Sequence, residues 1–269
     1  MIDSARHLLR AMPTLLKVSV ARNVAYRAEM TIWILTATMP LIMLALWNAV
    51  AASGPVAGFG QPEIARYFVA TLVVRQITGA WVMWELSHLI RTGGMSAHLL
   101  RPMHPLWTYA VWVATAIPFR LVILTPIILA VGTWRPDLFV WPAPDQFALF
   151  VVSVTMAWIT SFLVQCAFGL ASFWVDKSDG MFESWNAVWG LLSGYVAPLA
   201  FFPAAWRPVL DALPFRGMLG LPVELLGGFL RPEDAARPLA IQAAWMVVSF
   251  ALVMTLWRRG LVRNGAFGS

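Results

Sequence analysis

Few side chains in this chain are equipped for chemistry. Its two lysines, Lys17 in "LLKVS" and Lys177 in "VDKSD", both lack the preceding glycine that a phosphate-cradling Gly-Lys-Ser/Thr turn requires. ATP hydrolysis by that route is excluded. Ser193 lies in "GLLSG" at Gly190–Gly194, whose spacing departs from the G-x-S-x-G of a serine nucleophile turn, and no histidine follows in a later apolar stretch. That segment reads instead as small-residue helix packing. His88, His98 and His104 cluster without the i, i+4 pairing and carboxylate of a helical zinc site, so neither a metal nor a catalytic residue is expected. What remains is Arg75 and Arg120, each deep in an apolar stretch, and one polar island, "LIRTGGMSAHLLRPMHP", over 89–105.

The elements that must position these residues are set by composition. Only 12% of the 269 residues are charged, against about a quarter in a soluble domain. The mean hydropathy is +0.72, and several apolar stretches exceed the roughly 18 residues needed to cross a bilayer. The chain is an all-α integral membrane protein. Its net charge of +6 therefore reads as basic membrane edges and contact with anionic lipid, not as a nucleic-acid surface. Cys166, the single cysteine, excludes an intrachain disulfide framework. The first thirty residues hold basic side chains without an uninterrupted apolar core and small-residue cleavage site, so no cleaved signal peptide is expected.

Six membrane spans are expected, at about 30–51, 64–89, 106–132, 147–174, 184–204 and 239–257, in a single transmembrane domain covering 1–269. An even number places both termini on one side. That side carries Arg6, Arg10, Lys17, Arg22, Arg27, Arg91, Arg101, Lys177, Arg258, Arg259 and Arg263; the other carries Arg135, Arg207, Arg216, Arg231 and Arg237. Basic residues concentrate in the cytoplasm, so the termini and the polar island face inward. Over about 4–24, Leu8, Leu9, Met12, Leu15, Leu16 and Val20 share one helical face opposite Arg6, Arg10 and Lys17. This pattern suits a helix lying in the inner membrane surface, with packing on the protein's own cytoplasmic side as the alternative. Pro13 is expected to kink it or to start a second segment.

Arg75 precedes Arg91 by 16 residues and Arg120 follows Pro105 by 15, which puts both about 22–24 Å from the island, near mid-membrane. No acidic residue is expected at that depth. Two readings stand side by side. Each guanidinium caps backbone carbonyls freed by prolines such as Pro40, Pro118, Pro126 or Pro198, or meets an acid on another subunit. Alternatively, the pair lines a polar path and attracts an anionic group on cargo or lipid.

Three segments resemble bacterial ABC-exporter permeases of the daunorubicin-type drug, lipid and polysaccharide export class. These are "NVAYRAEMTIW" before the first span, the polar island, and "PLAFFPAAWRPVLDALPFRGMLGLP" after the fifth. In the island the matching positions are Arg91, Gly93, Ser96, Leu99, Leu100, Arg101, Pro102 and Pro105. The resemblance implies that this loop is a cytoplasmic coupling helix docking on a separate ABC ATPase, which holds ATP, Mg and the hydrolytic residues. It also implies a second permease, identical or related, with spans one, two and five enclosing the path. Short re-entrant helices are implied between spans five and six. The expected location is the bacterial cytoplasmic (inner) membrane, in contact with lipid and not with nucleic acid. A secondary carrier working without ATPase, or a non-transporting membrane scaffold, is the alternative; carriers carry inverted repeats and midplane carboxylates, and neither is visible here.

Overall fold

Proline and glycine punctuate this chain, and the helices run between them. The computed structural model describes residues 2–25, 39–100, 103–138, 142–175 and 178–266. These residues are helical with no strand among them. The long helices are α1 (Ile2–Ala25), α2 (Met39–Ala51), α3 (Gln61–Thr78) and α4 (Met83–Arg91), then, after the short α5 (Met95–Leu99), α6 (Pro105–Trp134), α7 (Pro144–Ala171) and α8 (Ser178–Leu192). Two short helices, α9 (Arg207–Ala212) and α10 (Leu221–Leu226), flank a π-helical turn at Arg216–Gly220 before the last helix, α11 (Ala236–Ala266).

Pro105 and Pro144 open α6 and α7 at positions where a missing N–H costs nothing. Pro118 and Pro126 lie within α6, whose helix nevertheless runs for 30 residues. Helices α6, α7 and α11 are long and apolar enough to cross a membrane. Only the end of the first expected span, as α2, falls within the described residues.

The second and fifth expected spans differ from their sequence reading. The apolar run 64–89 is not one helix: it stops at Thr78 and restarts at Met83. The fifth helix ends at Leu192, because Gly194 turns the chain with φ of +90°. The Tyr67 hydroxyl donates to the Gly194 carbonyl at 2.9 Å and fills the space a Cβ would need there. "GLLSG" is therefore a helix end closed by a tyrosine, not a helix-packing stripe. The apolar "PLAFFP" beyond it forms short 3₁₀ turns, Leu199–Phe201 and Ala204–Trp206, set by Pro198 and Pro203.

Two apolar clusters make up the core. One joins Ile64, Tyr67, Phe68 and Val74 of α3 to Phe150 and Val154 of α7 and to Leu219, Leu221 and Leu225 of the segment after the fifth helix. The other joins Val82, Leu86 and Ile90 to Met95, Leu106, Leu163, Cys166, Leu170, Val253 and Trp257. The interruption at 79–82 is where the chain passes from the first to the second, and α7 runs through both. Helix α4 seats closely on α7, where a Cβ at Gly169 would lie 3.0 Å from Cβ of Leu86.

Helix α1 is continuous through Pro13. Its second half packs on α6 through a polar stripe: Ser19 and Asn23 are buried, Asn23 donates to the Thr115 hydroxyl at 3.1 Å, and the Arg22 guanidinium lies 3.9 Å over the Trp112 ring. Arg22 also pairs with Glu85 of α4 at 3.3 Å. Leu16, Val20 and Val24 stay exposed. This half of α1 thus has one side on the protein and an apolar side free.

Candidate functional site

The polar island resolves into a short helical excursion. Helix α4 ends at Arg91, Gly93 takes a left-handed turn with φ of +73°, and α5 follows at once. Met95 anchors α5 in the second apolar cluster with no exposed surface. From that anchor the chain presents Ser96, Leu99 and Leu100 outward, with Leu100 89% exposed. Arg91 turns back to Asp179 at 3.6 Å, tying the excursion to the start of α8. Arg101 and Pro102 lie outside the described residues, as does most of "NVAYRAEMTIW". Pro105 is buried and opens α6, with His104 as the cap: its Nδ1 accepts from the Leu106 N–H at 3.3 Å, and its ring lies 4.5 Å from that of Trp257. Burial holds the His104 imidazole below its ordinary range, which keeps the capping nitrogen free to accept.

Arg75 and Arg120 come together at the interruption of the second stretch. Arg120 Nη1 donates to the Gly79 carbonyl at 2.5 Å and reaches the Gln76 carbonyl at 3.5 Å. The carbonyls that it meets are released by a break at glycine and not by a proline. A Cβ built on Gly79 would lie 3.2 Å from Nη1 of Arg120 and 3.4 Å from Nη1 of Arg75, so the two guanidinium groups approach across this one position. Arg75 instead faces aromatic rings, 5.0 Å from the Trp189 centroid and 5.8 Å from that of Tyr195, with the Tyr195 hydroxyl as a hydrogen-bond partner.

The rest of the break is satisfied by Gln165 of α7. Its Nε2 donates to the Ala80 carbonyl, while its Oε1 accepts from the Val82 N–H at 3.1 Å and the Met83 N–H at 3.5 Å. A single amide therefore replaces the helical bonds lost between Thr78 and Met83, where Ala80, Val82 and Met83 are all buried. Non-helical backbone in an apolar setting persists only when its polar groups are met in this way. A small open cleft lies beside the break, between α3, α7 and α8. Arg75, Thr78, Ser161 and Gln165 line one side and Trp185, Asn186 and Trp189 the other.

The family model for ABC-2 family transporter protein matches residues 32–268. The chain belongs to the ABC-2 transporter family. The interrupted helix, the cleft and the α5 excursion all lie inside the matched region of this ABC-2 membrane component. No curated protein and no solved structure matches the chain.

Sequence reasoning found both arginines but not Gln165, Gly79 or Trp189. Gln165 carries the same signal as the arginines, a polar side chain deep in an apolar stretch, but without a full charge to mark it. Gly79 follows Thr78 in "ITGAW" with nothing in the segment itself to separate a break from a tolerated helical glycine.

Proposed function

We propose that this ABC-2 protein is the transmembrane permease subunit of an ATP-driven exporter in the bacterial cytoplasmic membrane. Six crossings with both termini inside form the path together with a second permease, identical or related. A separate cytoplasmic ATPase, which binds ATP and Mg and carries the hydrolytic residues, docks on the 89–105 excursion. ATP-driven closure of that partner pushes on α5. The push passes to α4, which packs as a unit with α7, while the break at 79–82 lets α4 tilt without dragging α3. Short helices α9 and α10 re-enter the outer face and close the path there.

The observation that carries this reading is Leu100, an apolar side chain 89% exposed beside a fully anchored Met95. Such a leucine, at the tip of a buried-root helix, supplies the apolar knob that a partner's cleft needs. Leu100→Asp, with Arg101→Glu alongside, is expected to release the co-purifying ATPase or abolish its stimulation, while the permease keeps its thermal stability. Unchanged docking and unchanged stimulation in both variants would overturn the assignment of the excursion.

The interrupted helix is one feature that secondary carriers share. Among the described residues that line the cleft there is no carboxylate to couple a cation, however, and the family membership favours the ATP-driven reading. Cargo flux that persists in proteoliposomes without the ATPase and follows an ion gradient would reverse that choice.

A further inference from the structure

The cleft beside the break has an unbalanced inventory of hydrogen-bonding groups. Arg75 brings a permanent positive charge, and among the described residues it has no carboxylate partner. The indole N–H of Trp189, a residue 9% exposed, lines the same cleft and has no acceptor among the described residues. Two polar groups of the lining are engaged elsewhere, and the partner that Arg75 does have, Tyr195, offers a hydroxyl and not a carboxylate. The Thr78 hydroxyl donates to the Val74 carbonyl at 3.0 Å, and both ends of the Gln165 amide are held by the break. Arg120 adds a second positive charge just behind Gly79. A guanidinium with no carboxylate partner and an unmet indole donor, side by side in a largely apolar surround, are complementary to an anion.

The walls of the cleft define the rest of the ligand. Phe182 and Trp185 supply flat apolar surface, and α8 continues outward with Met181, Val188 and Leu191 exposed along one face. A fully hydrated inorganic ion would gain nothing from these walls. A molecule with one acidic headgroup and an apolar body would bury the body against them while its headgroup meets Arg75 and the Trp189 N–H.

We propose that the cleft between α3, α7 and α8 binds the acidic headgroup of an anionic amphiphile, with Arg75 as counter-ion, the Trp189 N–H as donor and Arg120 as the residue that holds the break open behind them. This deepens the permease reading, on which it rests, by giving the class of molecule that the path accepts. Two sources share the chemistry: an anionic membrane lipid and an amphiphilic cargo.

The test is native mass spectrometry of the full chain in an uncharged detergent, titrated separately with dodecyl phosphate, dioctanoyl phosphatidylglycerol and uncharged dodecyl glucoside. One equivalent of an anionic probe is expected to bind roughly ten- to a hundredfold more tightly than the glucoside, with the preference lost in Arg75→Gln, retained in part by Arg75→Lys and reduced in Trp189→Phe. Preference for phosphatidylglycerol identifies a lipid headgroup, and preference for the alkyl phosphate identifies cargo. Equal affinity for charged and uncharged probes, or undiminished anion binding in Arg75→Gln, overturns the site. Should Arg75→Gln fail to yield a monodisperse protein, Trp189→Phe decides, and unchanged anion binding in it overturns the proposal. Co-purification of the ATPase, followed in the same preparations, separates the two ideas: its retention without anion preference sinks the site alone, and its absence from wild-type preparations sinks the permease reading.

Discussion

Replacing Gln165 by leucine tests the interrupted helix directly. Leucine keeps the approximate bulk of the side chain and removes the amide, leaving the Ala80 carbonyl and the Val82 N–H without partners in a region where Ala80 is 3% and Val82 0% exposed. Each orphaned backbone group costs about 1–3 kcal/mol, so the pair amounts to about 2–6 kcal/mol. The third contact, to Met83 at 3.5 Å, is long enough to add little. Gln165→Glu keeps the acceptor for Val82 and loses the donor to Ala80, and belongs near half that cost. The chain supplies its own reporter, because its single cysteine, Cys166, is fully buried beside Gln165. An uncharged fluorogenic maleimide reaches that thiol only when α7 separates from α4. A loss of 2 kcal/mol or more corresponds to labelling about thirtyfold faster or more, with a parallel drop in thermal midpoint. Wild-type labelling and wild-type melting in Gln165→Leu would refute the claim that this amide holds the break.

Three further outcomes are expected. Arg216 is forked onto Glu224 at 2.6 and 3.3 Å and onto Asp211 at 2.7 Å, so Arg216→Met strands a half-buried carboxylate at a cost of about 1–3 kcal/mol, and the double variant Arg216→Met/Glu224→Leu recovers most of it in a thermal double-mutant cycle. A Cβ at Gly260 would lie 2.3 Å from the Phe173 ring, so Gly260→Ala is expected to destabilise by about 1–3 kcal/mol, read as a lower unfolding temperature. Burial keeps His104 below its ordinary range, so the stability it contributes is complete above about pH 6.5 and is lost as pH falls through that value toward the folded pKa. His104→Asn keeps a capping acceptor but cannot titrate, and its melting temperature is expected to fall less than that of wild type between about pH 7.5 and about pH 5.5.

The sequence made the helical class and the long helices legible because apolar length is a one-dimensional property, and α6, α7 and α11 coincide with the third, fourth and sixth expected stretches. It made the polar island legible because Gly93 and Pro105 punctuate it, and the structure puts a turn and a helix start at those two residues. The break at 79–82 was hidden because it depends on a partner 83 residues away, Gln165, and no local pattern encodes that meeting. Gln242 makes the same point a second time. Its amide donates to the Gly217 carbonyl at 2.7 Å within the π-helical turn and to the Ser153 carbonyl at 2.8 Å, while its Oε1 accepts from the Ser153 hydroxyl at 3.1 Å. Both irregular stretches are fastened by a glutamine from a neighbouring long helix, so a glutamine deep in an apolar run is as informative a signal as an arginine. The proline reading of Arg120 failed for a related reason: proline marks a lost donor in sequence, whereas the carbonyls that Arg120 meets were released by a change of backbone direction.

The distance along the chain between the break and its fastener also bears on biogenesis. Gln165 lies 85 residues after Ala80, so the ribosome delivers the second stretch to the membrane well before the amide that completes it. Until α7 arrives, the Ala80 carbonyl and the Val82 N–H must draw on water or on the insertion machinery. The second stretch is thus obliged to linger in a polar surround and to settle only when the fourth joins it. A nascent chain arrested before residue 165 would hold α3 and α4 in an incomplete, extractable state. One arrested far enough beyond for α7 to clear the ribosome would lock them in place.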